Sequence, residues 1–72
     1  MTNAKTTGEL LREARLAAGL SQQHAAYKMA THIVLISAHE RGVHIPQPDT
    51  LARYAIGYNV KPESLRGCDY SV

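Results

Sequence analysis

The chain has 72 residues, with eight Lys/Arg against six Asp/Glu and a net charge of +2. A chain this short buries only about 60% of the surface it exposes when unfolded, so its core has to be compact and largely helical, or be completed by a partner. The lone Cys68 excludes an intrachain disulfide framework and suits a reducing cytosol, while the longest apolar run, Ile33 to Ile36, and the polar start MTNAKTTGEL exclude a membrane span and a signal-peptide core.

Met1 to Lys5 reads as a loose polar tail. Thr6-Thr7-Gly8-Glu9 fits a capping box, with Thr6 as cap and Glu9 reaching back to it. The first helix then runs to about Ala18 and stops at Gly19. Its inward stripe is Leu11, Ala14 and Ala18, with Leu10 beside them, and Arg12 and Glu13 point outward. Ser21 is a good cap for a second helix, since its hydroxyl accepts an orphan backbone N–H. Gln22 to Met29 is free of Gly and Pro, and Ala25, Ala26 and Met29 share a face. Ala30-Thr31-His32 breaks the pattern. Thr31 can cap a third helix from about His32 to Glu40, which Gly42 ends. Helices this short are marginal alone and need their neighbours. A helix pair with so tight a turn is the helix-turn-helix unit, whose second helix can enter a DNA major groove.

Val43 to Pro48 is a loop stiffened by Pro46 and Pro48. Pro48 suits the first position of a fourth helix over roughly Asp49 to Tyr58, with Leu51, Tyr54, Ala55 and Tyr58 facing the core. Asn59 can take a left-handed cap, Pro62 starts a short last helix through Arg66, and Leu65 closes the core. Gly67 to Val72 reads as a tail. With no linker, repeat or low-complexity segment, the expectation is one domain over residues 1–72 and no second unit for ligand sensing.

From Gly8 to Val60 the chain resembles the Cro/lambda-repressor-type helix-turn-helix family, also called the xenobiotic-response-element family. The matching residues are Gly19-Leu20-Ser21-Gln22, Ala26, Lys28, Ile36-Ser37, Glu40-Arg41-Gly42, Pro46, Thr50-Leu51, Ala55 and Val60. The resemblance implies an all-α bundle of four to five short helices with an embedded helix-turn-helix. It also implies a sequence-specific DNA-binding transcriptional regulator, a repressor in most readings, acting as a cytoplasmic homodimer on a two-fold operator. Tyr54, Tyr58 and the segment from Val60 onward are the dimer surface it suggests.

By resemblance, Gln22 contacts a phosphate or reaches beside the recognition helix, and a Gln can also pair bidentately with adenine; Gln23 is a weaker candidate. The groove-facing positions are His32, Ile33, Val34, Ser37 and Ala38. Arg41, His44 and Lys28 are the phosphate contacts, which position a protein without specifying sequence. Each of those cations also reads as ordinary solvated charge, and a net charge of +2 hardly argues for nucleic acid. The apolar front of the third helix stays open between three readings. Ile33 and Val34 can touch thymine methyls. The face can bind a protein, as in an interaction module or antitoxin-like partner that has lost base readout. Or the helix is rotated, so that Leu35 and Ile36 are core and the others partly covered.

The family tends to carry an apolar residue at His39 and a larger one at Ala25. A buried, hydrogen-bonded His39 is the expectation, and it would make the domain sensitive to pH. Arg15 and Glu40 match a family ion pair between the first and third helices, worth several kcal/mol if buried and about 0–1 if exposed. The four histidines, His24, His32, His39 and His44, do not repeat the spacing of a helical zinc pair. No nucleophile elbow, phosphate loop or paired-carboxylate motif appears. No metal, cofactor or enzymatic activity is expected.

Overall fold

The computed structural model describes residues 4–70. Four α-helices follow one another among them: α1 (Thr7–Ala17), α2 (Gln22–Lys28), α3 (Ile33–Arg41) and α4 (Pro48–Tyr58), with a 3₁₀ turn over Pro62–Leu65. α1 and α2 pack on α3, and α4 with the 3₁₀ turn closes the other side. The core they enclose is small-residue and aliphatic, built from Leu11, Ala25, Ala26, Met29, Ile36, Leu51, Ala55 and Leu65 around the rings of Tyr54 and Tyr58.

Local chemistry sets most helix ends. The Thr6 hydroxyl accepts from the Glu9 N–H while the Glu9 carboxylate accepts from the Thr6 N–H, completing the capping box. Ser21 caps α2 by accepting from the His24 N–H at 3.0 Å. Pro48 stands in the first turn of α4. Each α-helix ends in paired backbone bonds of the Schellman type, for instance Val43 N–H to the Ala38 carbonyl and Gly42 N–H to that of His39. The left-handed residue of the motif is Gly19 after α1, Gly42 after α3 and Asn59 after α4. After α2 it is Ala30, with φ of 54°. An alanine there costs about 1 kcal/mol relative to glycine, because its Cβ crowds the backbone in this region.

That αL alanine moves the start of α3. Thr31 belongs to the close of α2, where its N–H donates to the Ala26 carbonyl, and α3 begins one residue beyond the position it could cap. His32 is the N-cap instead, without a side-chain cap bond, and α3 runs one residue later than expected, to Arg41.

Three other expectations change. Ala18 is exposed, because it is the C-cap of α1 rather than part of its inward stripe, and Arg15 takes the buried position. Gly67 to Tyr70 is not a tail. The Asp69 carboxylate accepts from both the N–H and the hydroxyl of Thr7 at 2.8 Å, and the Cys68 N–H donates to the Lys5 carbonyl. These bonds join the two ends of the described chain across the start of α1, and Lys5 is further held by Glu13. Partial burial works to raise the Asp69 pKa, but the Thr7 bonds outweigh it and hold the carboxylate below its usual range. The expected tails at 1–3 and 71–72 lie outside the described residues. Finally, Tyr54 and Tyr58 face the core as expected, but this burial leaves them no surface for the dimer role that the resemblance suggested. At that end the exposed apolar side chains are Ile56 and Val60.

Candidate nucleic-acid interface

α3 is held by a polar clamp at its C-terminal end. Arg15 donates from Nε to Glu40 Oε2 at 2.6 Å and from Nη2 to Oε1 at 3.2 Å. The two side chains are 8% and 5% exposed, so water screens the pair little. Arg15 Nη1 also donates to the Leu20 carbonyl at 2.8 Å, fixing the end of α1 to the turn before α2. The Glu40 carboxylate holds the Arg15 guanidinium above its usual pKa, outweighing the effect of burial. Gln22 adds a third link, from Nε2 to Glu40 Oε1 at 3.1 Å. Three elements therefore meet at one carboxylate, and the orientation of α3 is fixed relative to α1 and α2.

A second anchor sits one residue earlier. His39 is buried, and its Nδ1 lies 2.7 Å from the Tyr54 hydroxyl, with the rings edge to face at 81°. Tyr54 in turn leans on Tyr58, ring centroids 5.6 Å apart. Burial lowers the His39 pKa from its ordinary 6.5, and nearby His44 adds to this. The neutral ring is the one that fits. Below pH 6.5 the unfolded chain binds a proton at His39 that the folded chain refuses, so folding is favoured less as pH falls. Stability is expected to drop from pH 7 toward pH 5 by at most about 1.4 kcal/mol per pH unit from this group. Urea denaturation at pH 7, 6 and 5 measures it. His39→Gln should flatten the slope, and an unchanged slope would assign it to other groups.

With its C-terminal half anchored, α3 turns the first turn outward. Ile33, Val34 and Leu35 are 44%, 72% and 39% exposed, and with His32, Ala38 and His44 they line a shallow apolar groove. Val34, Ser37 and Arg41 recur at i, i+3 and i+7 and share the outer face, opposite buried Ile36 and His39. Ala38 is buried at the groove's floor instead of reaching out. Leu35 is not core, because anchoring α3 on Ile36, His39 and Glu40 leaves it at the edge. Gln23, Lys28, His32, Arg41 and His44 are exposed, Ser37 is half-buried, and Gln22 is half-buried with one N–H turned inward to Glu40. That inward bond is not legible in the sequence. The pairing of Arg15 with Glu40 gives no hint of a third partner, because the carboxylate's free lone pair shows only in three dimensions. No three His, Cys, Asp or Glu side chains gather as a metal site among the described residues.

An exposed second helix locked rigidly to the first through a tight turn defines a DNA-binding helix-turn-helix module. The chain belongs to the helix-turn-helix domain family, whose model matches residues 7–66, and it is a DNA-binding regulator of transcription. Among solved structures it is similar to the restriction-modification controller protein C.AhdI from Aeromonas hydrophila. The two are 29% identical, the match covers 82% of this chain and 89% of that one, and the TM-score is 0.76. No curated protein sequence matches it.

Proposed function

We propose that this chain is a sequence-specific transcriptional repressor that binds a two-fold operator as a homodimer, with α3 in the major groove. The observation that carries the reading is the rigid presentation of the first turn of α3 by the Arg15–Glu40–Gln22 clamp. Base contacts then fall to His32, Ile33, Val34 and Ser37, and phosphate contacts to Gln22, Gln23, Lys28, Arg41 and His44. In a dimer the two α3 helices would lie about 34 Å apart, in successive major grooves. The dimer surface is the outer side of α4 and the residues after it, where Ile56 is 81% exposed and Val60 36%. A controller role of the kind named for the Aeromonas hydrophila protein is consistent with this, and so is one compact domain acting in the cytoplasm beside the DNA it regulates. No described helix is long and apolar enough to cross a membrane.

The test is a mobility-shift titration on DNA upstream of the chain's own gene. Affinity is expected to fall steeply between roughly 50 and 200 mM salt. Arg41→Ala should reduce the salt slope by about one, as loss of a single phosphate contact requires. Val34→Asp should abolish binding, since it sets a carboxylate in the exposed aliphatic turn that faces the DNA.

A second reading rests on the same exposed Ile33, Val34 and Leu35. The face would then bind a protein, in an interaction module or an antitoxin-like complex. Salt-insensitive capture of a protein partner, lost in Ile33→Asp, with no DNA shift by the folded wild type, would favour it.

A further inference from the structure

Resting on the DNA-binding reading above, we propose that the first turn of α3 recognises thymine by its C5 methyl group. Val34 makes the principal contact, and Ile33 and Leu35 close the groove around it. The N-terminal residues of a recognition helix are the ones that reach base edges. In this chain those residues are consecutive aliphatics, 44%, 72% and 39% exposed, lining one apolar groove. Thymine is the one standard base that carries a methyl group in the major groove.

The polar residues of α3 supply no bidentate reader of another base beside the aliphatic turn. Cytosine is read by a carboxylate that accepts from its amino group. Between Ser21 and Pro48 the single carboxylate is Glu40, and it is occupied by Arg15 and Gln22. Adenine is read by a bidentate Asn or Gln; α3 has neither, Gln22 at the start of α2 donates to Glu40, and Gln23 beside it is assigned to phosphate. Guanine is read by Arg or Lys, and the one such residue of α3 is Arg41, at the far end from the first turn. The donors that remain beside the aliphatic turn, Ser37 and His32, can bond the O4 acceptor of thymine, and the choice among bases falls to the methyl contact. Charge completes the match to DNA. The strongly basic side chains of the segment are Lys28 and Arg41, both exposed, and its one carboxylate, Glu40, is paired with Arg15 and Gln22.

The experiment selects duplexes from a random-sequence library on the full chain. It then resynthesises the selected duplex with deoxyuridine in place of each thymidine in turn. Uracil keeps thymine's hydrogen-bonding edge and lacks only the methyl. Affinity is expected to fall about fourfold for each methyl contacted. In Val34→Ala, checked for folding by circular dichroism, that drop is expected to disappear, because the contact is already lost. A drop of undiminished size in Val34→Ala would overturn the assignment to Val34. Tight binding indifferent to every exchange would overturn methyl readout and leave the DNA-binding reading standing. Failure of the folded chain to select any duplex would overturn both. Equal affinity for a 5-methylcytosine·guanine pair at the sensitive step would overturn the choice of thymine, since the methyl alone would then suffice.

Discussion

Glu40→Ala is expected to destabilise the fold by about 3–5 kcal/mol. The substitution removes both carboxylate oxygens from a guanidinium that is 8% exposed, and leaves Arg15 with the Leu20 carbonyl as its remaining partner. A buried cation without its counter-charge costs far more than the pair was worth, because its desolvation is no longer offset. Gln22 loses its acceptor as well. A chain of this length has a total stability of roughly 4–11 kcal/mol, so the variant sits at or near the edge of folding. Its melting temperature should fall by more than about 12 °C. Replacing both partners by apolar residues, Arg15→Met with Glu40→Leu, should recover most of the loss, since no charge is then buried alone. Thermal and urea denaturation of the wild type, the single variant and the double variant decide the matter. A loss below about 1 kcal/mol for Glu40→Ala would mean that water screens the pair as it would on a surface. The double variant also separates stability from function. If it folds well and still binds DNA poorly, the clamp orients α3, and its role is not confined to holding the helices together.

The helix ends were legible because their chemistry is local. Thr6 with Glu9, Ser21, Gly42 and Asn59 each act within a few residues of their own position. The Arg15–Glu40 pair was legible by resemblance, since its partners lie on different helices and no spacing rule joins them. What escaped the sequence depends on the fold as a whole. The αL conformation of Ala30, which closes α2 with paired backbone bonds, goes against the residue's own preference, and the cap of α3 falls on His32 and not Thr31. The core-facing side of α4 was legible in the spacing of Leu51, Tyr54, Ala55 and Tyr58, but the meeting of His39 with the Tyr54 hydroxyl was not, since the two lie on different helices. The bonds from Asp69 to Thr7 span nearly the whole chain, which no window of neighbours can reveal. The site followed the same division. The outward placement of Ile33 and Val34 was readable from the family register, whereas the exposure of Leu35 and the inward turn of Gln22 follow from how α3 is anchored.

Gly8→Ala tests that anchoring from the opposite side. By helix propensity alone the change should help, since alanine is better than glycine in a helix by up to about 1 kcal/mol. Packing opposes it. A Cβ at Gly8 would stand 2.7 Å from the His39 carbonyl oxygen and 2.9 Å from the Glu40 carbonyl carbon, and closer still to the Glu40 oxygen. These are backbone atoms of the last turn of α3, and no rotamer change moves them away. α1 and α3 must therefore separate, which strains the core and the clamp together. Overpacking of this kind costs about 1–3 kcal/mol or more, so a net loss of about 2 kcal/mol is expected, with weaker DNA binding as α3 is displaced. Gly57→Ala is the matched control. There the new Cβ would meet the end of the Met29 side chain, with Sδ at 2.8 Å. Methionine has three rotatable bonds and can swing aside, so the propensity gain should offset the contact and leave stability unchanged or slightly higher. Paired urea denaturation curves measure both. Equal effects at the two positions would show that glycine is retained at residue 8 for a reason other than the backbone of α3.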